Sequence, residues 1–428
     1  MQQRNTMLSS RIQPPIPQSP EIASPSLESL RGGRILFLAD EMAALTAGGT
    51  ERQILQMIGI CKRNGMEPHL CFLRHTRWLT SELAGCPVTH LTIHKVASPQ
   101  GLRSLAELTF WIKARRFHIL QTFFSDANLI GPVLGRLAHV PVVLGTRRNL
   151  NHPLNEVPRY GLMHLQEWTN RLVDMVIANS NAVLERIVET EHISRDRICV
   201  VYNGIDLNHM QPRPDLRQTA RRALGLNGDH LLVGNVSGLR KIKGVSMFIN
   251  AAAEAYRRNP RLRFMLIGDG PLKSELLQII RMHGLQKVFR LAGAAEDVRP
   301  HLAAFDIGVL CSHAEGFSNS LLEYMASGVP VIATDVGGNR EALGSCGLLI
   351  PPKTQDLAAA IDFMGDPHAR SRFASAALER VKEFDLELAN HNLTQIYARY
   401  LAEARLGKQP HVQNNAYNEP RTLNISGT

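Results

Sequence analysis

Short apolar runs alternate with amphipathic helical stretches along most of this chain of 428 residues. The first apolar run, residues 34–40, leads through Gly48 and Gly49 into a stretch over 51–65 where apolar residues recur at helical spacing. The same strand, turn and helix order continues through the first half of the chain. Strands that alternate with helices predict a parallel sheet covered by helices on both faces.

A second run of the same alternation begins around Leu231. Two consecutive runs predict two doubly wound α/β domains rather than one, which suits a chain too long for a single core. The stretch 203–206 (Asn-Gly-Ile-Asp), followed by Pro212 and Pro214, is the predicted linker. Open α/β sheets bind ligands at the carboxyl ends of their strands, so we expect a ligand in the cleft between the domains.

The two ends of the chain lack the pattern. Residues 1–32 are rich in Pro, Ser and Gln, and 408–428 are polar, so we predict a disordered leader and a flexible tail. The leader lacks the apolar core of a secretory signal. The sequence has no run of ~18 apolar residues that would span a membrane. We therefore expect a cytoplasmic protein.

The cysteines and the charge of the chain indicate which kinds of site and partner to expect. The six cysteines form no C-x-x-C pair and have no metal-ligand spacing, which favours buried reduced thiols over a disulfide or metal site. The net charge of +10 includes clusters at 113–116 and 257–263. Such clusters are usually solvated, but they also suit anionic lipid headgroups or a phosphorylated acceptor. No nucleic-acid-binding signature accompanies the charge, so we expect no nucleic-acid partner.

The segment 314–341 carries the most specific pattern. Glu315 follows an apolar strand, and Glu323 comes after seven intervening residues, inside a predicted helix that starts near Asn319. The turn before this helix offers backbone N–H groups and the positive end of the helix dipole to a phosphate. Glu315 would accept hydrogen bonds from sugar hydroxyls, and Glu323 would reach a ribose diol. The alternative is that Glu315 caps the helix and Glu323 lies on its surface.

A basic loop, 238–244, follows the strand at 231–237 and precedes a helix. Arg240 and Lys243 would stabilise the negative charge of a departing diphosphate. Lys241 is predicted to be a solvated charge on the protein surface. The alternative is that the whole loop is only a basic surface turn.

These segments resemble retaining glycosyltransferases of the GT-B fold, particularly glycosyltransferase family 4, over most of 33–405. The resemblance implies two Rossmann-like domains facing a central cleft. It implies an acceptor-side domain at 33–205, a donor-nucleotide-binding domain at 206–384, and a helix at 385–407 that crosses back to the first domain.

The same resemblance implies a role for each motif. Glu315 would contact the donor sugar, Glu323 the ribose, and the intervening loop amides the pyrophosphate. Arg240 and Lys243 would hold the leaving group, although many relatives place the arginine where this chain has Gly238. The implied donor-binding residues are Gly48, Gly49, Gly268, Asp269, Gly270, Asp297, Val298, Gly316, Phe317, Ser318, Asn319 and Ser320.

One residue of the family pattern is missing. Many members carry a histidine after the fourth strand, where this chain has Phe123. Asp126 and the pair Arg147-Arg148 remain as candidate cleft residues, with helix capping as the alternative for Asp126.

The resemblance implies a retaining transfer from a nucleotide-sugar to a glycan or lipid-linked acceptor, in cell-surface polysaccharide biosynthesis. It implies no metal and no cofactor, and it allows peripheral contact with the inner membrane face. The alternatives are a sugar-nucleotide epimerase or a sugar phosphorylase of the same architecture, and a non-catalytic sugar-nucleotide-binding scaffold. A pyridoxal-binding lysine of the kind that a glycogen-type phosphorylase needs cannot be placed in the sequence.

Overall fold

A computed structural model describes residues 27–42, 49–76, 79–93, 98–150 and 163–406. Their strands form two parallel sheets. The first sheet has seven strands: β1 (Arg34–Ala39), β2 (Glu67–Phe72), β3 (Val88–His90), β4 (Ile119–Phe123), β5 (Val142–Arg147), β6 (Met175–Ala178) and β7 (Ile198–Val200). The second sheet has six: β8 (Leu231–Val236), β9 (Leu262–Ile267), β10 (Phe289–Gly293), β11 (Ile307–Leu310), β12 (Val331–Thr334) and β13 (Leu348–Ile350).

Helices connect successive strands and cover the sheets. Those of the first half are α1 (Gly49–Arg63), α2 (Ser81–Ala84), α3 (Pro99–Arg115), α4 (Ser125–Leu137), α5 (Met163–Asn170) and α6 (Asn181–Glu191). Those of the second half are α7 (Leu207–Met210), α8 (Pro214–Ala223), α9 (Val245–Arg258), α10 (Lys273–Met282), α11 (Arg299–Ala304), α12 (Asn319–Ala326), α13 (Asn339–Leu343), α14 (Thr354–Phe363), α15 (Pro367–Arg380) and α16 (Leu386–Arg405).

In both parallel sheets, the order in which successive strands are added reverses at the first strand. The order is β3-β2-β1-β4-β5-β6-β7 in the first sheet and β10-β9-β8-β11-β12-β13 in the second. The reversal between β1 and β4, and between β8 and β11, opens a crevice at the carboxyl ends of the strands. The two doubly wound units predicted from the alternation of strands and helices are confirmed. The short strands β3 and β13 were not predicted, because three residues give too little periodicity to read.

The chain passes twice between the units, and the two passages lie side by side. Ile205 N–H donates to Phe384 O at 2.9 Å, and Leu386 N–H donates to Ile205 O at 2.9 Å. A Cβ on Gly204 would lie 2.7 Å from Leu386 Cα, so only glycine allows this approach. The helix α16 then packs its buried Leu393, Ile396 and Tyr397 into the core of the first sheet.

Residues near the start of the described chain extend that core. Leu27–Leu30 form a 3-10 turn, and Leu30 is fully buried in the same core as Leu401 of α16. Leu27–Leu30, which lie within the segment predicted as a disordered leader, are therefore part of the folded unit. The rest of that segment, and the predicted tail 408–428, lie outside the described residues.

All six cysteines are free and buried, which confirms the prediction of buried thiols. In the ranges that the structure describes, no helix is long and apolar enough to cross a membrane.

Candidate active site

The helix α12 and the loop before it form the centre of the candidate site. The helix begins at Asn319, where the sequence placed its start. Within the described chain, the side chain of its N-cap residue Ser318 makes no capping hydrogen bond. Ser320 instead turns its hydroxyl back to Val236 O at 2.8 Å, which ties the helix to the end of β8. The first-turn amides thus meet no side-chain cap, an arrangement that suits an anion.

Glu315 is held in place by two donors at the entrance of this loop. Lys243 Nζ and Ser312 Oγ each lie 2.6 Å from Glu315 Oε1. The Glu315 carboxylate is almost fully buried, at 8% exposure, and Lys243 provides a positively charged partner for it. The structure brings Glu315 and Lys243 into direct contact although 72 positions separate them.

The loop that carries Lys243 is fixed by close backbone contacts. Gly244 has φ 61°, and a Cβ there would lie 2.0 Å from Cys311 O. The basic loop can therefore pack directly against the end of β11, next to Glu315. Arg240, three residues before Lys243, is exposed and begins the same turn.

The turn at Gly268, Asp269 and Gly270 supports the basic loop from the other side. Leu239 N–H donates to Asp269 O at 3.0 Å. Gly268 has φ 143°, and a Cβ there would lie 2.0 Å from Ser237 O. The two segments that the sequence singled out separately thus form one packed unit beside β8.

Glu323 meets the other half of the protein. It is buried, at 6% exposure, and its Oε1 lies 3.1 Å from Arg52 Nη1 in the first turn of α1. Burial raises the pKa of Glu323, and Arg52 opposes that rise. A Cβ on Gly49 would lie 2.8 Å from Asn319 Nδ2, so the start of α1 faces the start of α12. Gly48 lies outside the described residues.

A buried asparagine joins the linker to the same loop. Asn203 Nδ2 donates to Phe317 O at 3.1 Å and to Asn319 Oδ1 at 2.6 Å. Its Oδ1 accepts a hydrogen bond from Arg148 Nη2, at the end of β5. The linker residue, the first sheet and the loop before α12 are thereby connected through one side chain.

Two glycines allow the backbones of the two halves of the protein to approach closely at this loop. A Cβ on Gly316 would lie 2.2 Å from Arg148 O, and one on Gly338 would lie 2.1 Å from Gly316 O. The backbones of the first sheet, the loop before α12 and the start of α13 are therefore stacked without intervening side chains.

Beyond these glycines, Glu341 of α13 caps a helix of the other unit. Its two carboxylate oxygens accept hydrogen bonds from the backbone N–H groups of Asn181 and Ala182, each at 2.7 Å. Tyr202 OH donates to the same carboxylate at 3.1 Å. A carboxylate at the N-terminus of α6 is favoured by the helix dipole.

Asp297 and Val298, the two residues predicted to contact a nucleotide base, differ in their surroundings. Asp297 is exposed and pairs with Arg299 at 2.8 Å, which lowers the pKa of the Asp297 carboxyl. Its neighbour Val298 is buried in the apolar core of the second sheet. A role for this pair toward a nucleotide base stays a prediction.

The position of the missing histidine is occupied by a core residue. Phe123 ends β4, is 1% exposed and packs against Phe37 with ring centroids 5.9 Å apart. Asp126, nearby in α4, pairs with Arg74, and its backbone N–H donates to Asp40 at 3.0 Å. The helix α4 is therefore capped by Asp40 rather than by Asp126.

Roles for the side chains of Arg52, Asn203 and Glu341 were not predicted from the sequence. Each of these residues nevertheless lies next to a motif that was. Arg52 follows the Gly48-Gly49 turn closely, Asn203 opens the predicted linker, and Glu341 closes the segment 314–341. None of these positions reveals its partner, because each partner lies in the opposite half of the chain.

Comparisons with known proteins identify the family of this chain. The family described as "Glycosyltransferase Family 4" matches residues 47–209, and "Glycosyl transferases group 1" matches residues 229–364. A D-inositol 3-phosphate glycosyltransferase of Thermomonospora curvata is 32% identical over 309 residues, which cover 66% of this chain and 71% of that protein. One from Corynebacterium aurimucosum is 28% identical, with 82% and 91% covered. For one from Thermobispora bispora, the chain spans 65% of its length at 28% identity.

Solved structures show the same architecture. Anabaena Alr3699/HepE, in complex with UDP-glucose, superposes with a TM-score of 0.74 at 24% identity, covering 85% of this chain and 99% of that chain. WaaG, a glycosyltransferase involved in lipopolysaccharide biosynthesis, superposes with a TM-score of 0.67 at 16% identity, covering 85% and 99%. The predicted GT-B architecture is confirmed, and the chain belongs to glycosyltransferase family 4.

Proposed function

We propose that this glycosyltransferase moves a sugar from a nucleotide-diphosphate sugar to a glycan or lipid-linked acceptor with retention of the anomeric configuration. The proposed pathway is cell-surface polysaccharide biosynthesis. The observation that carries the proposal is the contact between Glu315 and Lys243 beside the start of α12. A carboxylate for sugar hydroxyls, a cation for a leaving phosphate and a helix N-terminus converge there.

The donor would lie along the loop between Glu315 and Glu323. Its pyrophosphate would accept hydrogen bonds from the amides of Gly316, Phe317 and Ser318 and from those of Asn319 and Ser320 at the start of α12. Its ribose would approach Glu323, and the turn at 268–270 would line the nucleotide side. Gly49, which faces Asn319 closely, would allow the N-terminal domain to approach the phosphates.

In the proposed reaction the bond between the anomeric carbon and the diphosphate oxygen breaks first. Arg240 and Lys243 stabilise the negative charge that develops on that oxygen. The acceptor hydroxyl then attacks from the same face and gives its proton to the departing phosphate. Because the phosphate accepts the proton, no side chain is needed in place of the histidine absent at Phe123.

The reaction as proposed uses no metal and no cofactor, because Arg240 and Lys243 provide the positive charge that a metal ion would otherwise supply. The nucleotide-sugar is a substrate. UDP-glucose and UDP are bound by the structural neighbour HepE, so uridine nucleotides are the first donors to test.

The acceptor is proposed by analogy with the relatives' substrates. One relative is the UDP-Gal:alpha-D-GlcNAc-diphosphoundecaprenol alpha-1,3-galactosyltransferase of Escherichia coli, 26% identical over 56% of this chain and 63% of that protein. Other relatives are named for D-inositol 3-phosphate. A lipid-linked acceptor would place the protein at the cytoplasmic face of a membrane.

A face of α3 suits such a membrane contact. Phe110 is 72% exposed and Leu102 is 58% exposed. Lys113, Arg115 and Arg116 are exposed at the C-terminal end of the same helix. Apolar side chains beside basic ones are attracted to the surface of an anionic bilayer. We expect the double substitution Phe110→Ser/Leu102→Ser to reduce sedimentation with phosphatidylglycerol vesicles, while Leu277→Ser, on α10, should not. Equal binding by all three proteins would exclude this face.

The proposed transfer is tested in two steps. First, thermal shifts with UDP-, GDP-, ADP- and dTDP-sugars identify the donor, because a ligand of the native state raises the melting temperature. Second, that donor is incubated with D-inositol 3-phosphate or GlcNAc-diphospho-undecaprenol, and the product's anomeric configuration is read by NMR.

A glycoside with the donor's anomeric configuration would support the proposal, and an inverted glycoside would overturn retention. Conversion of the donor into an epimer without acceptor would favour the epimerase. Nucleotide binding with no product from either acceptor would favour the scaffold.

A further inference from the structure

Two adjacent arginines at the end of β5 have opposite surroundings. Arg147 is buried and forms a salt bridge with Glu191, with Nη2 to Oε2 at 2.9 Å, and it also donates to Asn170 at 3.1 Å. Arg148 points its guanidinium to Asn203, a neutral amide. Among the residues that the structure describes, no carboxylate forms a salt bridge with Arg148. Arg147 thus has a carboxylate partner at salt-bridge distance, and Arg148 has none within the described ranges.

The position of Arg148 connects it to the loop before α12 in two ways. Its backbone carbonyl lies under Gly316, where a Cβ would approach to 2.2 Å. Its side chain is connected to Phe317 O and Asn319 Oδ1 through Asn203, which forms hydrogen bonds with both. The guanidinium is therefore held beside the loop whose amides are assigned to the pyrophosphate.

A diphosphate at this loop would need positive charge beyond that of Lys243, because Lys243 already pairs with Glu315 at 2.6 Å. Burial raises the pKa of Glu51 in α1, while Arg240 and Arg148 lower it, so this one carboxyl lies in the field of both arginines. Burial also lowers the pKa of Arg148 to about 10, opposed by Glu51. A desolvated arginine with a neutral partner favours binding of an anion.

We propose that Arg148 is a binding residue for the donor diphosphate, supplied by the N-terminal domain opposite Arg240. This inference rests on the proposed function. In it, a nucleoside diphosphate is held between a cation of each domain, and Asn203 sets the direction of the Arg148 guanidinium. The ligand class is a nucleoside diphosphate, because a monophosphate would present fewer oxygens to the two arginines.

The test compares nucleotides that differ only in phosphate number. The probe is whichever of UDP, GDP, ADP and dTDP raises the melting temperature of the wild-type protein, together with its monophosphate. Calorimetry on the full chain measures both dissociation constants for wild type, Arg148→Met, Arg148→Lys and Lys241→Met. Lys241 is the matched control, because it is an exposed cation on the neighbouring basic loop.

We expect Arg148→Met to weaken diphosphate binding about tenfold or more, since a lost charge-assisted hydrogen bond has that size. Monophosphate binding should change much less, so the affinity ratio of diphosphate to monophosphate falls. Arg148→Lys should restore part of that ratio, and Lys241→Met should leave it unchanged.

Three results would overturn the inference. Unchanged diphosphate binding in Arg148→Met with a raised KM for a phosphate-bearing acceptor would assign Arg148 to the acceptor. Equal losses for both nucleotides in Arg148→Met and Arg148→Lys would make Arg148 a structural residue. If no nucleotide binds the wild-type protein, the proposed function itself fails, whereas binding that survives in Arg148→Met removes only the role of Arg148.

Discussion

Arg52 Nη1 lies 3.1 Å from Glu323 Oε1, and this ion pair joins the first turn of α1 to the buried face of α12. The two residues are 271 positions apart in the sequence. The pair places a cation of the N-terminal half against the carboxylate that we assign to the donor ribose. The Arg52 side chain is 41% exposed, so solvent screens the interaction and it contributes little to stability.

The role of Glu323 leads to the first prediction. Glu323→Gln keeps the shape of the side chain but removes the charged acceptor for the ribose hydroxyls. We expect nucleotide affinity to fall about tenfold, because a hydrogen bond to a charged group contributes about 1.5–3 kcal/mol. Calorimetry with the cognate nucleotide and with its 2′,3′-dideoxy analogue measures the effect. The wild-type protein should discriminate between the two nucleotides, and the variant should not. A variant that still prefers the ribonucleotide would contradict the assignment.

The second prediction concerns the two cations of the basic loop. In the double variant Arg240→Ala/Lys243→Ala, we expect kcat to fall about a hundredfold or more, because removing charge stabilisation of a leaving group has this magnitude. Steady-state kinetics with saturating donor and acceptor measure it. Lys241→Ala is the control on the same loop and should stay within about twofold of wild type. Near-normal turnover of the double variant would show that the two cations do not stabilise the leaving group.

The third prediction concerns the contact between Glu341 and the start of α6. Glu341→Ala removes the acceptor of two backbone N–H groups and of the Tyr202 hydroxyl. We expect the free energy of unfolding to fall by about 1–2 kcal/mol, the usual cost of a lost helix cap. Urea denaturation measures it, with Arg340→Ala as the control, because Arg340 is exposed and pairs with Asp335 of its own unit. Equal stability of both variants would mean that water replaces the cap.

The fourth prediction is a pH dependence caused by Asp40. Burial raises the pKa of Asp40 from 3.8 to about 6, and the backbone N–H groups of Asp126 and Ala127 partly oppose it. A carboxyl whose pKa is higher in the folded state contributes most below the unfolded value, and that contribution is lost as the pH rises toward 6. We expect wild type to lose up to about 3 kcal/mol relative to Asp40→Asn between pH 4 and 7, at 1.36 kcal/mol for each pKa unit.

Urea denaturation of both proteins across this pH range measures the difference. Asp269→Asn is the control, because Asp269 is exposed. Its stability should run parallel to that of wild type. Parallel curves for wild type and Asp40→Asn as well would show that Asp40 ionises normally in the folded protein.

The sequence by itself determined the architecture and the centre of the site. Apolar strands that alternate with helices can only be buried as covered parallel sheets, so the two doubly wound units follow from local pattern. Glu315, the loop and Glu323 lie on one continuous loop and helix that follow β11, so their arrangement depends mainly on local backbone geometry. The family resemblance added roles for these residues.

Only the tertiary structure decided which side chains complete the site. Arg52, Arg148, Asn203 and Glu341 each meet a partner from a distant part of the chain, and no local pattern encodes such a pairing. The neighbours Arg147 and Arg148 show the reason. They are identical in type and adjacent in sequence, but successive residues at the end of a strand point in opposite directions. One therefore meets Glu191 in its own domain, and the other meets Asn203 beside the loop of the second domain.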